Sequence, residues 1–369
     1  MNTWRINILR KRGVDLCKLI ALLFVFFIHY IGWSGFFEDV QNERIYYYAM
    51  MGLTQVVIAC VPLFFIISGY LSNTVKVGNN YKKAISVFNI YIFYALVLIL
   101  VTIYKFKSVY SIKSVLCNLL GIHSIINREW YISVYILLLL FLPFINQLWQ
   151  ILSRDMKRHL LFLLLITTSL TQSIHVVWNI DFFNLEFADK MYVLLYFFIG
   201  KYIADYGIQI RKRYLCMIFV SVIIVSAFYF GIVYYGKIVD ASRVIQYGRL
   251  GTVLTAVSLF GLLYDVNLKD KWHLLIKFGA RASLDTYLGA LSLEYLLFYA
   301  DLKGLDFLKR NFLYLILIIL ITIFWGNFRQ MISKHVLERG GKKQYIYLAR
   351  NDNNFVDLHA MCVHLFCNV

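Results

Sequence analysis

The sequence predicts an all-α fold, a polytopic integral membrane helix bundle of about ten transmembrane helices with both termini inside. Three observations predict it. Of the 369 residues, 61% are hydrophobic and only 15% charged, whereas soluble domains carry about 25% charged residues. The apolar residues gather in runs near 20 residues, about what one helical crossing of a bilayer needs. Lys and Arg crowd alternate connections, with roughly twice as many in those assigned inside as in those assigned outside, which is the bias that orients membrane helices. A water-soluble enzyme is thereby excluded. Two prolines and no polar tract exclude collagen-like and disordered chains. The net charge of +17 points to a membrane-lipid surface as partner and not to nucleic acid.

In order, the apolar runs cover 14–35, 49–72, 86–104, 131–150, 159–178, 191–206, 214–236, 250–265, 282–299 and 312–332. The first follows a basic stretch, as a signal peptide would. Asp15, Lys18 and His29 inside it, with no Ala-x-Ala-like site after it, mark it as a retained helix. Between the third and fourth runs, 105–130 is too short and too apolar for an outer domain, and 115–126 is expected to lie along the interface as a partial helix. Aromatic residues at span ends, among them Tyr46, Trp130, Tyr131 and Trp178, read as an aromatic belt. Residues 1–340 form one membrane domain, followed by a short tail over 341–369 with no assigned role. Six scattered cysteines give no disulfide framework. His359, Cys362, His364 and Cys367 leave too little loop between ligand pairs for zinc, so no metal is expected.

Ionisable residues at membrane depth are costly, at least about 2.5–3.5 kcal/mol each, and mark function by default. Lys18 and His29 are eleven residues apart. At 100° per residue they fall about 20° from one face, separated by about 16 Å along the helix. One stripe thus carries a cation deep inside and an imidazole further out, with Asp15 three residues before Lys18 to neutralise it locally. Val61 to Leu71 places Pro62 inside a span and a Ser68-Gly69-Tyr70 break near its inner end. Arg128-Glu129-Trp130-Tyr131 opens an outer helix end, followed by Leu142-Pro143-Phe144-Ile145-Asn146. Arg281 and Asp285 are spaced as an i, i+4 pair. Ser283, Tyr287, Ala290 and Glu294 share one stripe of the ninth span.

These features, taken in order, resemble the membrane-bound acyltransferase family 3, whose members O-acylate sugars of bacterial envelope and secreted glycans. The resemblance rests on Asp15 and Lys18 with ten residues between Lys18 and His29, and on F-F-I-I-S-G-Y-L at 64–71. It rests also on Trp130-Tyr131 with the later Pro143, on Phe198-Ile199-Gly200-Lys201-Tyr202, and on Gly279, Ser283, Leu284, Tyr287 and Leu288. Lys18 stands where the family has arginine or lysine. Ala290 stands where it often has histidine, so a role carried by that histidine does not transfer.

The resemblance implies transfer of an acyl group from a cytoplasmic acyl-CoA, most simply acetyl-CoA, to a hydroxyl of a cell-envelope or exported polysaccharide or its lipid-linked precursor. The setting it implies is the bacterial cytoplasmic membrane, with polysaccharide-assembly proteins as expected partners. Imidazole, with a pKa near 6.5, suits removal of a hydroxyl proton at neutral pH, which makes His29 the expected base or transient acyl carrier. Lys18 is expected to hold a negative group of the donor, with Asp15 beside it. Ser68 and Tyr70 are expected to line the donor path, and Trp130 and Tyr131 to face the sugar. Ser283 and Tyr287 complete the substrate-binding set. Glu294, about 13 residues up its helix where His29 is about 15 and His175 about 16, is expected, or else His175, to orient the His29 ring. The competing reading is a flippase or exporter of lipid-linked oligosaccharide, or a small-solute permease, with Lys18, His29, Asp285 and Glu294 as a polar pathway, and a polysaccharide polymerase is a further enzyme alternative.

Overall fold

The computed structural model describes residues 12–33, 35, 44–72, 77–120, 130–178, 191–235, 244–297 and 311–332. The tail at 341–369, with His359 through Cys367, and the Arg128-Glu129 pair lie outside the described residues.

Every apolar run is mainly helical over its described residues, and no strand occurs among them. Six helices are long and apolar enough to cross a membrane: Arg12–Gly32, Arg44–Leu71, Asn80–Phe106, Trp130–Ile151, Lys212–Tyr234 and Asn311–Ile332. The other four runs are helical but differ from a simple crossing. Three are helices of 14 or 15 residues, shorter than the roughly 20 that a perpendicular crossing takes. The fourth contains a π-helical segment at Leu165–Leu170.

The elements are α1 (Arg12–Trp33), α2 (Arg44–Val57), α3 (Cys60–Leu71), α4 (Val77–Phe106), α5 (Ile112–Leu119), α6 (Trp130–Ile151), α7 (Arg154–Leu164) and α8 (Thr171–Trp178). After these come α9 (Tyr192–Tyr206), α10 (Lys212–Tyr234), α11 (Leu250–Leu263), α12 (Asp270–Arg281), α13 (Ser283–Leu297) and α14 (Asn311–Ile332). The break between α2 and α3 falls at Ile58–Ala59, not at the expected Ser68–Tyr70. The reason is Pro62, which has no N–H to give the carbonyl four residues earlier and crowds it, and that residue is Ile58. Within the π-helical segment joining α7 to α8, the Thr167 and Thr168 hydroxyls donate to the carbonyls of Leu163 and Leu164 at 2.8 and 2.6 Å. Such back-bonding loosens the α-helical ladder.

The contacts divide the chain into two units. The first holds α1 to α3, the second half of α6, and α7 to α12 up to Ala280. Its centre is α3, buried on nearly every side, which packs most extensively on α9 and also meets α1 and α11. Gly69 and Gly200 make that crossing. A Cβ on Gly69 would lie 1.9 Å from the Phe197 carbonyl oxygen, and one on Gly200 would lie 2.0 Å from that of Ile66. Two backbones approach this closely only where neither residue carries a side chain. The second unit holds α4, α5, the first half of α6, α13 and residues 316–332 of α14, with α4 packed on α13.

Candidate functional site

In the first unit, α1 carries Lys18 and His29 as one unbroken helix, so the shared stripe expected from their spacing holds. Both side chains are half-buried. The lower end of α1 is fastened at three points. The Arg12 guanidinium donates to the Leu268 carbonyl at 2.6 Å and pairs with Asp270 at 2.5 Å. Asp15, 1% exposed, faces the ring nitrogen of His273 on α12 at 3.2 Å. Gly13 lies so near the end of α11 that a Cβ would stand 2.1 Å from the Leu263 carbonyl oxygen. Asp15 thus ties the stripe to α12, a partner 258 residues away that helical spacing does not reveal.

Of the residues expected along the donor path, Ser68 is half-buried and Tyr70 buried. The Tyr70 ring packs edge-on against Phe260 of α11 and Tyr264 just after it, at 5.6 and 6.0 Å between centroids. Tyr70 is therefore part of the seam between α3 and α11. His175 on α8 is exposed.

A polar centre that sequence reasoning missed lies beside the glycine crossing. Lys201 follows Gly200 and is 1% exposed. Its Nζ donates to Asn146 Oδ1 at 2.6 Å and to Ser72 Oγ at 3.2 Å, with the rings of Trp149 and Phe197 each at 5.9 Å. One turn on, Asp205 accepts from Trp149 Nε1 at 2.8 Å and from Lys157 Nζ at 3.0 Å. The F-I-G-K-Y lysine, the asparagine of L-P-F-I-N and the serine that follows S-G-Y-L therefore meet at one ammonium. The signal was available, since a lysine inside an apolar run is a functional or structural flag by the same rule that singled out Lys18. Lys201→Met keeps the stem and removes the donor to Asn146. It is expected to lower stability by about 1.5–3 kcal/mol, the range for a hydrogen bond to a charged group. A fall in Tm in detergent reads this, and an unchanged Tm refutes it.

In the second unit, Ser283, Tyr287, Ala290 and Glu294 of α13 are all buried, Glu294 at 1% exposure. Their neighbours on the other faces of α13 are mostly buried too, so the stripe is one side of a helix enclosed almost all round. Tyr131, expected at the aromatic belt, is a core residue instead. Its ring meets Tyr287 edge-on at 5.7 Å and stacks with Tyr135 at 5.9 Å. Two residues chosen separately for substrate binding thus touch each other. Trp130 is half-buried beside them, its ring edge-on to Tyr131 at 6.4 Å.

The expected Arg281–Asp285 pair does not form. Asp285, 1% exposed, takes a two-pronged pair from Arg329 of α14, through Nε to Oδ1 and through Nη2 to Oδ2, the latter at 3.0 Å. Gln330 and the Tyr94 hydroxyl each add a bond at 3.2 Å. Arg329 wins because its planar fork matches both carboxylate oxygens in a dry setting, while Arg281 is exposed. Arg329→Gln strands a buried carboxylate and is expected to destabilise by about 3–5 kcal/mol. Part of this should return in the double variant with Asp285→Asn, as read by melting in detergent. A single variant that melts like the parent contradicts the prediction. Among the described residues no group of His, Cys, Asp and Glu is arranged to hold a metal ion.

Apolar helices of membrane-crossing length, with charged groups set among them, define a polytopic membrane-embedded protein. The family model for the acyltransferase domain, acyltransferase family 3, matches residues 11–329, and the chain belongs to that family of membrane acyltransferases. No curated protein and no solved structure matches the chain.

Proposed function

We propose that the protein is an O-acyltransferase that moves an acetyl group from acetyl-CoA, supplied from the cytoplasmic side, to a hydroxyl of an envelope or exported polysaccharide or its lipid-linked precursor. Its setting is the bacterial cytoplasmic membrane, with both chain ends inside. The single observation that carries this reading, beyond membership of the family, is the α1 stripe. It sets a half-buried cation and a half-buried imidazole on one face of one helix, about 16 Å apart.

The chemistry follows from that spacing. The His29 ring nitrogen takes the proton of the acceptor hydroxyl, and the oxygen attacks the thioester carbonyl carbon. A carbon–oxygen bond forms, the carbon–sulfur bond breaks, and the CoA thiolate leaves with the proton returned by His29. Lys18, too far down the helix to touch the same atom, holds a negative group of the donor. Asp15 acts through its His273 contact to fix the helix that bears both. Ser68 and Tyr70 belong to the donor side in this reading, and Trp130, Tyr131, Ser283 and Tyr287 to the acceptor side. Glu294 is assigned the part of a positioning carboxylate.

The test compares the acetyl content and the quantity of surface glycan in cells carrying the parent chain, a deletion and the His29→Ala variant. Loss of acetyl groups with glycan retained is the expected result. Loss of the glycan itself supports export or polymerisation instead. Lys18→Arg is expected to keep activity within about tenfold of the parent, because charge and reach are preserved although the fork differs. An inactive Lys18→Arg protein refutes a role resting on charge alone.

A further inference from the structure

Arg249, the residue before α11, is a buried cation that the mechanism does not use. It is 6% exposed. Its Nη2 donates to the Val244 carbonyl, and its guanidinium carbon lies over the Phe230 ring at 4.5 Å from the centroid. Tyr196, Tyr229 and Tyr234 stand around it. The Tyr196 hydroxyl is already committed to the Tyr247 carbonyl at 2.6 Å, and the Tyr234 ring stacks on Phe230. Among the described residues, the Arg249 Nε has no hydrogen-bond partner and no carboxylate pairs with this guanidinium. One carbonyl and one aromatic face offset only part of the desolvation of a full positive charge. A buried cation with a spare donor is completed by an anion.

Its height in the bundle makes the anion relevant to chemistry. At one end of the first unit, Gly13 of α1 abuts Leu263 and Tyr264 at the end of α11. Arg249 lies fifteen residues before Tyr264, and fifteen residues after Gly13 is Ile28, next to His29. Each count is about 22 Å of helix, so Arg249 and His29 lie at one level of two helices in contact. The start of α11 is held there by the Ser173 hydroxyl, which accepts from the Leu250 N–H at 2.9 Å.

We propose that Arg249 binds a phosphate-ester oxyanion at the level of His29, so that a phosphate carried on a lipid anchors the acceptor while its hydroxyl reaches the imidazole. The role given to the ligand rests on the acyl-transfer reading; the binding itself does not. Guanidinium matches the tetrahedral oxyanion through two parallel N–H donors, and Nε with Nη2 on the same edge supplies such a pair, Nη2 having a second hydrogen besides the one given to Val244.

The test uses the purified full chain in detergent with farnesyl phosphate as probe, farnesol as its uncharged counterpart, and inorganic phosphate. Farnesyl phosphate is expected to raise the melting temperature of the parent, as a ligand of the folded state must, and farnesol is not. Arg249→Gln is expected to weaken half-saturation by about tenfold or more, and Arg249→Lys by less. Competition by inorganic phosphate supports a site that reads the phosphate group alone, and no competition supports one that needs the lipid-borne ester. An equal shift with farnesol, or a full phosphate-dependent shift in Arg249→Gln, overturns the proposal. Should Arg249→Gln fail to fold, the shift in the parent must still shrink as salt rises, and a salt-independent shift overturns it equally. His29→Ala is expected to bind the probe like the parent, so a failure of this site and a failure of the acyl-transfer reading are told apart.

Discussion

Replacing His29 with alanine is expected to cut acyl transfer by about 10²–10⁴-fold, the usual contribution of a positioned general base, while glycan quantity and the amount of folded protein stay unchanged. The side chain is half-buried on a helix whose lower end is secured by Arg12, Gly13 and Asp15, so losing the ring leaves the backbone where it was. His29→Gln is the informative companion, because it keeps polarity and approximate volume but cannot take a proton at neutral pH. Activity lost in both variants supports proton removal. Activity retained in His29→Gln reduces the ring to a hydrogen-bonding group, and undiminished acetylation in His29→Ala removes the mechanism altogether.

The second large effect is structural. Gly200→Ala is expected to prevent accumulation of folded protein. Its new methyl would fall 2.0 Å from the Ile66 carbonyl oxygen and 2.8 Å from the Tyr70 nitrogen, where ordinary contact begins near 3.4 Å. The obstacle is backbone in the middle of a helix, not the tip of a flexible side chain, so α3 and α9 must part along their length. The penalty therefore exceeds the about 1–3 kcal/mol of ordinary overpacking, and parting the helices also withdraws Lys201 from Asn146 and Ser72. Gly69→Ala meets the same wall from the other side, at 1.9 Å from the Phe197 carbonyl oxygen. Gly32→Ala is the control. Among the described residues nothing lies within 4 Å of a Cβ there, and alanine favours a helix over glycine by about 1 kcal/mol. Yield and monodispersity in detergent read all three, and a well-folded Gly200→Ala protein refutes the argument.

Which parts of this architecture were legible in the sequence follows from the reach of each rule. Helix positions were, because hydrocarbon demands long apolar runs whatever the fold, and the Lys18–His29 stripe was, because it needs only the pitch of one helix. The break in the second run was assigned to Ser68–Tyr70 because Gly69 was read for its flexibility. The glycine serves for closeness instead, and the proline interrupts the ladder one turn before itself, at Ile58. Asp285 was paired with Arg281 because i, i+4 spacing considers only the residue's own helix. Its actual partner, Arg329, lies 44 residues along the chain, as His273 lies 258 residues from Asp15. Tyr131 was placed at the interface because end-of-span aromatics usually sit there, and no single-helix rule anticipates Tyr287 opposite it. Lys201 and Arg249 escaped attention for the reverse reason. Lys201 stands inside a short motif with Asp205 four residues on, and Arg249 in a charged connection, and neither setting shows that the fold buries the cation.

The π-helical stretch at Leu165–Leu170 works as a phase shifter. Relative to an uninterrupted α-helix it accommodates one surplus residue, about 100° of rotation for everything downstream. That offset aims Ser173 at the amide of Leu250 and brings Gln172 against Gly248. Deleting a single residue here would leave an intact and straighter rod whose far end points the wrong way. The loss would be felt at the mouth of α11, some distance from the edit itself.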